Sequence, residues 1–206
     1  MDRLEALTAR ITAAGGDAAY GVVDVRRRED LVALVALARE RFGKLDVLVN
    51  NAGIGPISPL DDLRVEEWDE MVDVNVKGVL YGIAAALPVF RAQGFGQFVN
   101  IASTAGLTVR PNMAVYAGTK FAVRAISEGL RQEAGDKLRV TVITPGFVHT
   151  DFVGGIADQA LRAQLEASRD RMAITPDTIA RAIAFAVEQP ADVDVGEIVV
   201  RPTAQR

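Results

Sequence analysis

Hydrophobic and polar positions along this chain follow two different periods, which alternate. Near the start, Leu4, Leu7 and Ile11 recur at helical spacing, whereas residues 45–49 form a short apolar run typical of a strand buried on both faces. The same patterns predict further helices at residues 29–42, 65–93, 115–135 and 176–188, after a first helix at 2–14, with Thr175 as N-cap of the last. They predict strands at residues 18–23, 45–49, 98–101, 140–144 and 198–201.

The repeated strand–helix–strand order predicts an α/β fold, a doubly wound parallel sheet of the Rossmann-like kind. No internal repeat or linker divides the sequence, so residues 1–206 are expected to form a single domain. Ligands bind such sheets at the carboxyl ends of the strands. Each unusual polar cluster follows a predicted strand, and the residues concerned are Asp24, Asn50 and Asn51, Ser103, and Pro145 with Gly146. The sequence therefore predicts a binding site at this edge.

Composition removes several classes of site and partner. The chain has 206 residues, a formal net charge of −4, no cysteine and one histidine, His149. Disulfides, zinc–thiolate sites and histidine-rich metal sites are therefore excluded, and no basic stretch indicates a nucleic-acid partner. The longest apolar run, residues 78–90, is too short to predict a membrane span. Because the opening residues are amphipathic and do not resemble a secretory signal, we expect a cytoplasmic protein.

The strongest candidate chemistry is a tyrosine and a lysine within one predicted helix. Tyr116 and Lys120 are four residues apart, so the phenol and the ammonium share a helical face. A nearby cation favours the phenolate, and Lys120 is therefore expected to lower the pKa of Tyr116 toward the range useful for proton transfer. Ser103 ends the preceding strand and could hydrogen-bond the carbonyl oxygen that Tyr116 protonates. The alternative is a solvated helical face, because this spacing often occurs by chance.

Three further segments allow a functional and a structural interpretation. In the Asn-Asn-Ala-Gly tetrad at residues 50–53, the functional interpretation is that Ala52 and Gly53 let a flat ligand approach the backbone. The structural interpretation is that the tetrad forms a tight turn. Asn75 is an amide between valines, which either bonds the helix backbone or serves a site. Residues 145–150 could present backbone groups and a hydroxyl to a planar carboxamide, or merely leave the strand as a loop.

Together these elements resemble the short-chain dehydrogenase/reductase family in order and approximate spacing, over essentially the whole chain. The resemblance implies that Tyr116 is the general acid/base, that Ser103 orients the substrate oxygen, and that Lys120 holds the nicotinamide ribose. It also implies that Asn75 kinks its helix and holds a water in the proton relay. The implied cofactor-binding residues are Tyr116 and Lys120, Asp24 and Val25 beside the adenine, Asn51 on the adenosine side, Val148 and Thr150 at the nicotinamide amide, and Ala52, Gly53, Pro145 and Gly146.

The chain's ending, residues 197–205, resembles the subgroup of serine or 3-hydroxy acid dehydrogenases, many of which use NADP. The resemblance thus implies hydride transfer between NADP(H), or else NAD(H), and a carbonyl or alcohol substrate such as a hydroxy acid or small alcohol. One alternative is a non-catalytic chain that acts as a dimerisation partner. Another is an epimerase-like relative, which the Asn-Asn-Ala-Gly tetrad argues against. Because the helices at 65–93 and 115–135 are unusually long and apolar, and relatives pair these helices, we expect a homodimer or homotetramer.

The sequence departs from the family pattern in one respect. The family begins with a strand and a glycine-rich TGxxxGxG turn, whose amides meet the cofactor pyrophosphate. Neither lies within residues 1–206, so the expectation is an N-terminally truncated domain without its first strand–helix–strand unit, which binds its cofactor weakly. Residues 154–172, rich in charge and small side chains, are either a mobile lid over the substrate or a surface helix.

Overall fold

The computed structural model of the chain describes residues 2–205. At its centre lies a four-stranded parallel sheet whose spatial order follows the chain: β1 (Val47–Asn50), β2 (Gly96–Ile101), β3 (Leu138–Pro145) and β4 (Glu197–Val200). The helices are α1 (Asp2–Ala13), α2 (Arg28–Phe42), α3 (Val65–Val72), α4 (Gly78–Gln93), α5 (Ala114–Ala134), α6 (Gln159–Met172) and α7 (Pro176–Val187). Short 3₁₀ turns lie at Leu60–Asp62, Thr104–Gly106 and Asp151–Gly155.

Helices cover both faces of the sheet. On one face α2, α4 and α5 pack in a core cluster around Phe90 and Phe98, whose rings meet edge to face at a centroid distance of 4.9 Å. On the other face α7 packs through Ile179 against Val99 and Ile143. Alternate residues of each strand thus enter opposite cores, as the pleat requires. The predicted doubly wound, Rossmann-like α/β architecture is confirmed.

Two strand predictions are wrong, one about whether a strand forms and one about how deeply a strand is buried. Residues 18–23 form no strand, because a strand requires ladder hydrogen bonds and no other strand among residues 2–205 pairs with this segment. Strand β1 was expected to be buried on both faces, yet Val49 is 40% exposed. Within the described sheet β1 pairs only with β2, so one side of it has no neighbouring strand.

The long predicted helix at 65–93 is one continuous helical stretch with a change of winding inside it. Helix α3 passes into a π-helical turn at Asp73–Lys77, and α4 follows directly. By length and composition alone, the stretch Val65–Gln93 is long and apolar enough to cross a membrane, unlike the shorter apolar run at residues 78–90. Its residues Ala86 and Phe90 are fully buried against the sheet, where they pack as those of a core helix do.

The segment at 154–172 contains the surface helix α6. Asp158 caps it, accepting hydrogen bonds from the backbone N–H groups of Ala160 and Leu161. None of its described residues is fully buried, but Leu161 and Leu165 pack on the core cluster that includes Tyr116. The helix therefore borders the predicted catalytic residues.

Candidate active site

A cavity of about 800 Å³ lies at the carboxyl ends of the strands. Asn51 follows β1, Ser103 follows β2 and Gly146 follows β3, so the parallel order brings these loops to one edge. Most of the residues predicted from the sequence line this cavity. They are Asn51, Gly53, Ser103, Tyr116, Lys120, Pro145, Gly146, Val148 and Thr150.

Four predicted residues do not line the cavity. The Asp24 carboxylate is held by the Arg26 guanidinium through hydrogen bonds of 2.7–3.0 Å, and this pairing lowers the pKa of Asp24 to about 2. Val25 packs against Gly78 at the start of α4, and Ala52 is exposed. Asn75 lies behind the cavity, where it contacts the loop after β1.

Tyr116 is buried beside Ser103. Tyr116 as a whole is 8% exposed, and a side-chain hydrogen bond with Ser103 acts to lower the pKa of its phenol. Burial outweighs that bond and raises the pKa of Tyr116 to about 12, because a phenolate loses its hydration there. The shift is opposite to the one expected from Lys120. A phenol with so high a pKa holds its proton at neutral pH.

Lys120 shares the buried face of α5 with Tyr116. Its Nζ lies 5.9 Å from the centroid of the Tyr116 ring and donates a hydrogen bond of 3.0 Å to the Ile101 carbonyl. Burial lowers the pKa of Lys120 to about 8. An ammonium has three N–H donors, and within residues 2–205 the Ile101 oxygen is the one hydrogen-bond acceptor it contacts. The side chain thus retains donors for a ligand in the cavity that it lines.

The turn that carries Ser103 rests directly on α5. The Ser103 hydroxyl accepts a hydrogen bond of 3.2 Å from the Ala105 N–H and so caps the 3₁₀ turn Thr104–Gly106. A Cβ atom at Gly106 would lie 2.9 Å from the backbone of Lys120. Only glycine permits this close approach. The chain is therefore shaped to hold Ser103 against the helix of Tyr116 and Lys120.

Asn75 sits at the centre of the π-helical turn and is 1% exposed. Its amide exchanges hydrogen bonds of 2.9 and 2.8 Å with the N–H and C=O of Ile54, and donates a third, of 3.1 Å, to the Thr119 hydroxyl on α5. Of the two alternatives left open, bonding to its own helix backbone is wrong. Asn75 instead ties the loop after β1 to α5. Extra-residue π turns of this kind often occur at functional sites.

The loop after β3 presents free backbone groups. An isolated parallel bridge joins Val148 to Ile174, and it uses the N–H of His149 and the C=O of Phe147. The N–H and C=O of Val148 itself have no hydrogen-bond partner among the described residues. Val148 lines the cavity, so a planar carboxamide there would meet both a donor and an acceptor.

Sequence reasoning missed a buried polar network behind the cavity. The Asn50 amide donates to Asn100 on β2 at 2.8 Å, and Asn100 donates to Ser127 on α5 at 2.9 Å. Asn100 interrupts the apolar run at residues 98–101, and that interruption was the available signal. Gln205 lies in the chain's ending, where no sequence pattern singles it out, although it lines the cavity and contacts two of its loops.

Comparisons with known proteins agree with this architecture. Residues 1–161 match the family described as short chain dehydrogenase. A Staphylococcus saprophyticus protein named an uncharacterized oxidoreductase is 44% identical, over 100% of this chain and 83% of its own length.

Solved structures give the same assignment. An alcohol dehydrogenase from the archaeon Thermococcus sibiricus, complexed with 5-hydroxy-NADP, has a TM-score of 0.87 and 31% identity, covering 100% of this chain and 83% of its own. The closed form of a serine dehydrogenase complexed with NADP⁺ has a TM-score of 0.87 and 31% identity, covering 97% and 81%. The chain therefore belongs to the short-chain dehydrogenase family and is an oxidoreductase of that family.

Proposed function

We propose that the protein transfers a hydride between NADP(H) and a small hydroxy acid or the corresponding oxo acid. The observation that carries this proposal is the group formed by Ser103 and the buried Tyr116 and Lys120, which lines one large cavity together with the loop after β3, whose backbone suits a nicotinamide. Asn75 supports the group from behind.

The proposed chemistry follows from the protonation states. In reduction, the Tyr116 phenol donates its proton to the substrate's carbonyl oxygen, and the Ser103 hydroxyl hydrogen-bonds the same oxygen and polarises the carbonyl. In oxidation the roles reverse, and Tyr116, in the phenolate form that reduction leaves, takes the proton back from the alcohol. The raised pKa of Tyr116 favours the protonated form, and thus the role of acid, before substrate arrives. The Phe152 ring packs against the Tyr116 ring, at 5.3 Å between ring centroids, and both residues line the cavity.

The residues present fit a nicotinamide cofactor. The N–H groups of Lys120 suit ribose hydroxyls, and the backbone of Val148 with the hydroxyl of Thr150 suits the carboxamide. When bound, the nicotinamide supplies the hydride for reduction, accepts it in oxidation, and carries a positive charge in its oxidised form. NADP is proposed ahead of NAD because two structural relatives are NADP or 5-hydroxy-NADP complexes.

The charges around the cavity favour an acid over a neutral alcohol. Its charged lining residues are Lys120, Arg110, Arg169 and Arg201, and none of the described lining residues is a carboxylate. The whole chain has a net charge of −4, so this local excess of cations runs against its overall composition. The Arg169 guanidinium donates one hydrogen bond, of 2.9 Å, to the Asp170 carboxylate. Among the three arginines, Arg169 is the least exposed. A substrate carboxylate would find complementary charge here.

The test uses paired substrates. Purified protein is incubated with NADPH or NADH and with oxo acids and their neutral amides, and consumption of the reduced nicotinamide is followed by absorbance. We expect turnover with NADPH and a higher kcat/KM for the acids. Arg169→Gln should lower kcat/KM for the acids about 10-fold and leave the amides unchanged. Arg171→Gln, which changes an exposed arginine on the same helix, is the control. Equal rates on acids and amides would contradict the acid substrate, and the absence of turnover would contradict the proposed activity.

A homodimer or homotetramer is also proposed. Leu80 on α4 is 42% exposed and Phe121 on α5 is 39% exposed, so both long helices present apolar side chains outward. A partner that covers them would remove this surface from water. Light scattering at micromolar concentration checks this, and a folded monomer would contradict it. The cytoplasmic location remains a prediction from the sequence.

A further inference from the structure

The side chain of Gln205 joins two loops that are far apart in sequence. Its Nε2 donates a hydrogen bond of 3.1 Å to the Thr104 hydroxyl, and its Oε1 accepts one of 2.9 Å from the Phe147 N–H. The backbone N–H of Gln205 itself bonds the Pro202 carbonyl at 3.0 Å, so the residue is anchored in a turn. A primary amide both donates and accepts, and therefore satisfies both loops at once.

The two loops carry residues with different roles in the proposed reaction. Thr104 directly follows Ser103, which orients the substrate oxygen, and Phe147 directly precedes Val148, which is suited to the nicotinamide carboxamide. Thr104, Phe147 and Gln205 all line the same cavity. The Gln205 amide thus lies where it controls the separation between the substrate-orienting hydroxyl and the loop that faces the nicotinamide.

Gly146 leaves room for this contact because it has no side chain. A Cβ atom at residue 146 would lie 2.1 Å from Oε1 of Gln205 and 2.7 Å from Cβ of Arg201. Any side chain at that position would displace the amide or the strand end that carries it. The Gly146 N–H also donates to the Val200 carbonyl at 2.8 Å, which holds the end of β4, and hence the start of the segment that carries Gln205, beside the end of β3.

We propose that Gln205 is a positioning residue for the hydride-transfer reaction, which holds the Ser103 turn and the loop after β3 in register across the cavity. The inference rests on the proposed function, since it concerns the geometry of that reaction. Misplacement of reacting groups by about 1 Å can cost on the order of 100-fold in rate, whereas substrate binding depends less on it. The loss of Gln205 should therefore act on kcat more than on KM.

Three variants test the proposal. Gln205→Met keeps the length of the side chain but makes neither hydrogen bond, and should lower kcat about 10- to 100-fold with KM for NADPH changed less than about threefold. Gln205→Glu should restore kcat to within about threefold, because a carboxylate accepts from Phe147 while the Thr104 hydroxyl donates to its second oxygen. Gln132→Met, which changes an exposed glutamine that bonds Glu128 on α5, should have no effect. Unchanged kcat in Gln205→Met, or failure of Gln205→Glu to restore it, would overturn the proposal.

A cycle with Thr104 separates positioning from general stability. Thr104→Val removes the hydrogen bond between Gln205 and Thr104. In the Gln205→Met background that bond is already lost, so adding Thr104→Val should change kcat by less than about twofold. If the two residues acted independently, their effects on kcat would multiply. Thr104→Val also serves alone if Gln205→Met is insoluble, and should then lower kcat with KM retained; an unchanged kcat would overturn the proposal. Hydrogen exchange of the Phe147 amide should speed up in Gln205→Met. That readout needs no turnover, so it distinguishes a failed link from a failed proposed function.

Discussion

The predicted ligand-binding edge has a chemistry end (Ser103, Tyr116, Lys120 and Asn75) and an adenine end (Asp24, Val25 and Asn51), which are built differently. At the chemistry end Asn75 is 1% exposed and Lys120 is 5% exposed, and their hydrogen bonds connect separate elements. At the adenine end the Asp24 side chain is 35% exposed and its ion-pair partner is Arg26, only two residues away.

The difference shows where this chain fixes geometry before any ligand arrives. Buried polar groups are costly unless they are bonded, so buried groups whose hydrogen bonds join separate elements allow few other arrangements. Exposed ion pairs are screened by water and constrain little. Substitutions at the chemistry end should accordingly have large effects on rate and stability, and those at the adenine end should have small effects on binding.

The largest effect is expected from Tyr116→Phe. Removal of the proton donor should lower kcat about 100- to 10,000-fold, the usual contribution of a positioned acid or base. The ring still fills its buried site, so the dissociation constant for NADPH should stay within about twofold. Steady-state kinetics and fluorescence titration measure the two quantities. Tyr81→Phe, at a half-buried tyrosine on α4, is the matched control and should leave both unchanged. Retained turnover in Tyr116→Phe would show that another group moves the proton.

The next effect concerns the support behind the site. Asn75→Leu would leave the N–H and C=O of Ile54 without their partners, and should lower the free energy of unfolding by about 2–4 kcal/mol. Thr119→Val removes the third bond of the Asn75 amide and the bond from the Thr119 hydroxyl to the Tyr116 carbonyl but leaves both Ile54 groups paired, so its cost should be smaller, about 1–2 kcal/mol. Urea unfolding measures both. If Asn75→Leu is as stable as the parent protein, the loop after β1 is not held by this amide and the contrast between the two ends fails.

A third, smaller effect is a dependence of stability on pH that belongs to the chemistry end. Burial lowers the pKa of Lys120 from 10.5 to about 8, so between these values the unfolded chain holds more protons and stability should rise with pH. Taken in full, the shift corresponds to about 3 kcal/mol, and water entering the site would reduce that figure. Tyr116 has the opposite sign, because its pKa is raised from 10.0 to about 12 and stability is lost as pH rises through that window.

The opposite signs of these two contributions place their combined maximum of stability at about pH 10. Urea unfolding at several pH values, compared between the parent protein and Lys120→Met, isolates the contribution of the lysine. The difference between the two proteins should shrink as pH rises from about 8 to about 10. A difference that is constant across this range would show that Lys120 is not desolvated in the folded protein.

Sequence reasoning succeeded where short-range periodicity sufficed. The spacing of Tyr116 and Lys120 placed both on one helical face, and both are buried there. The parallel order of strands brought Ser103 and Gly146 to one edge, as expected of ligand sites in such sheets.

It failed where an outcome depends on residues distant in sequence. Residues 18–23 have the composition of a strand, but a strand needs a neighbour that composition does not reveal. The bond from Gln205 to Thr104 spans 101 residues and leaves no periodic signal. The pKa of Tyr116 was expected to fall because Lys120 is near, and it rises because burial, which the sequence shows only indirectly, is the larger influence.

The smallest effect is expected at the adenine end. Asp24→Asn removes a carboxylate whose oxygens already accept hydrogen bonds from Arg26, so adenine competes there with an existing partner. The dissociation constant for NADPH should rise less than about fivefold, and kcat should not change. Arg26→Gln is the informative companion, because it removes the guanidinium from the Asp24 carboxylate while the backbone N–H of residue 26 still donates to it, and it should leave binding equal or slightly tighter. Titration of both variants with NADPH decides the point. A 100-fold loss in Asp24→Asn would mean that the adenine end is as firmly organised as the chemistry end, and that exposure is a poor guide to function along this edge.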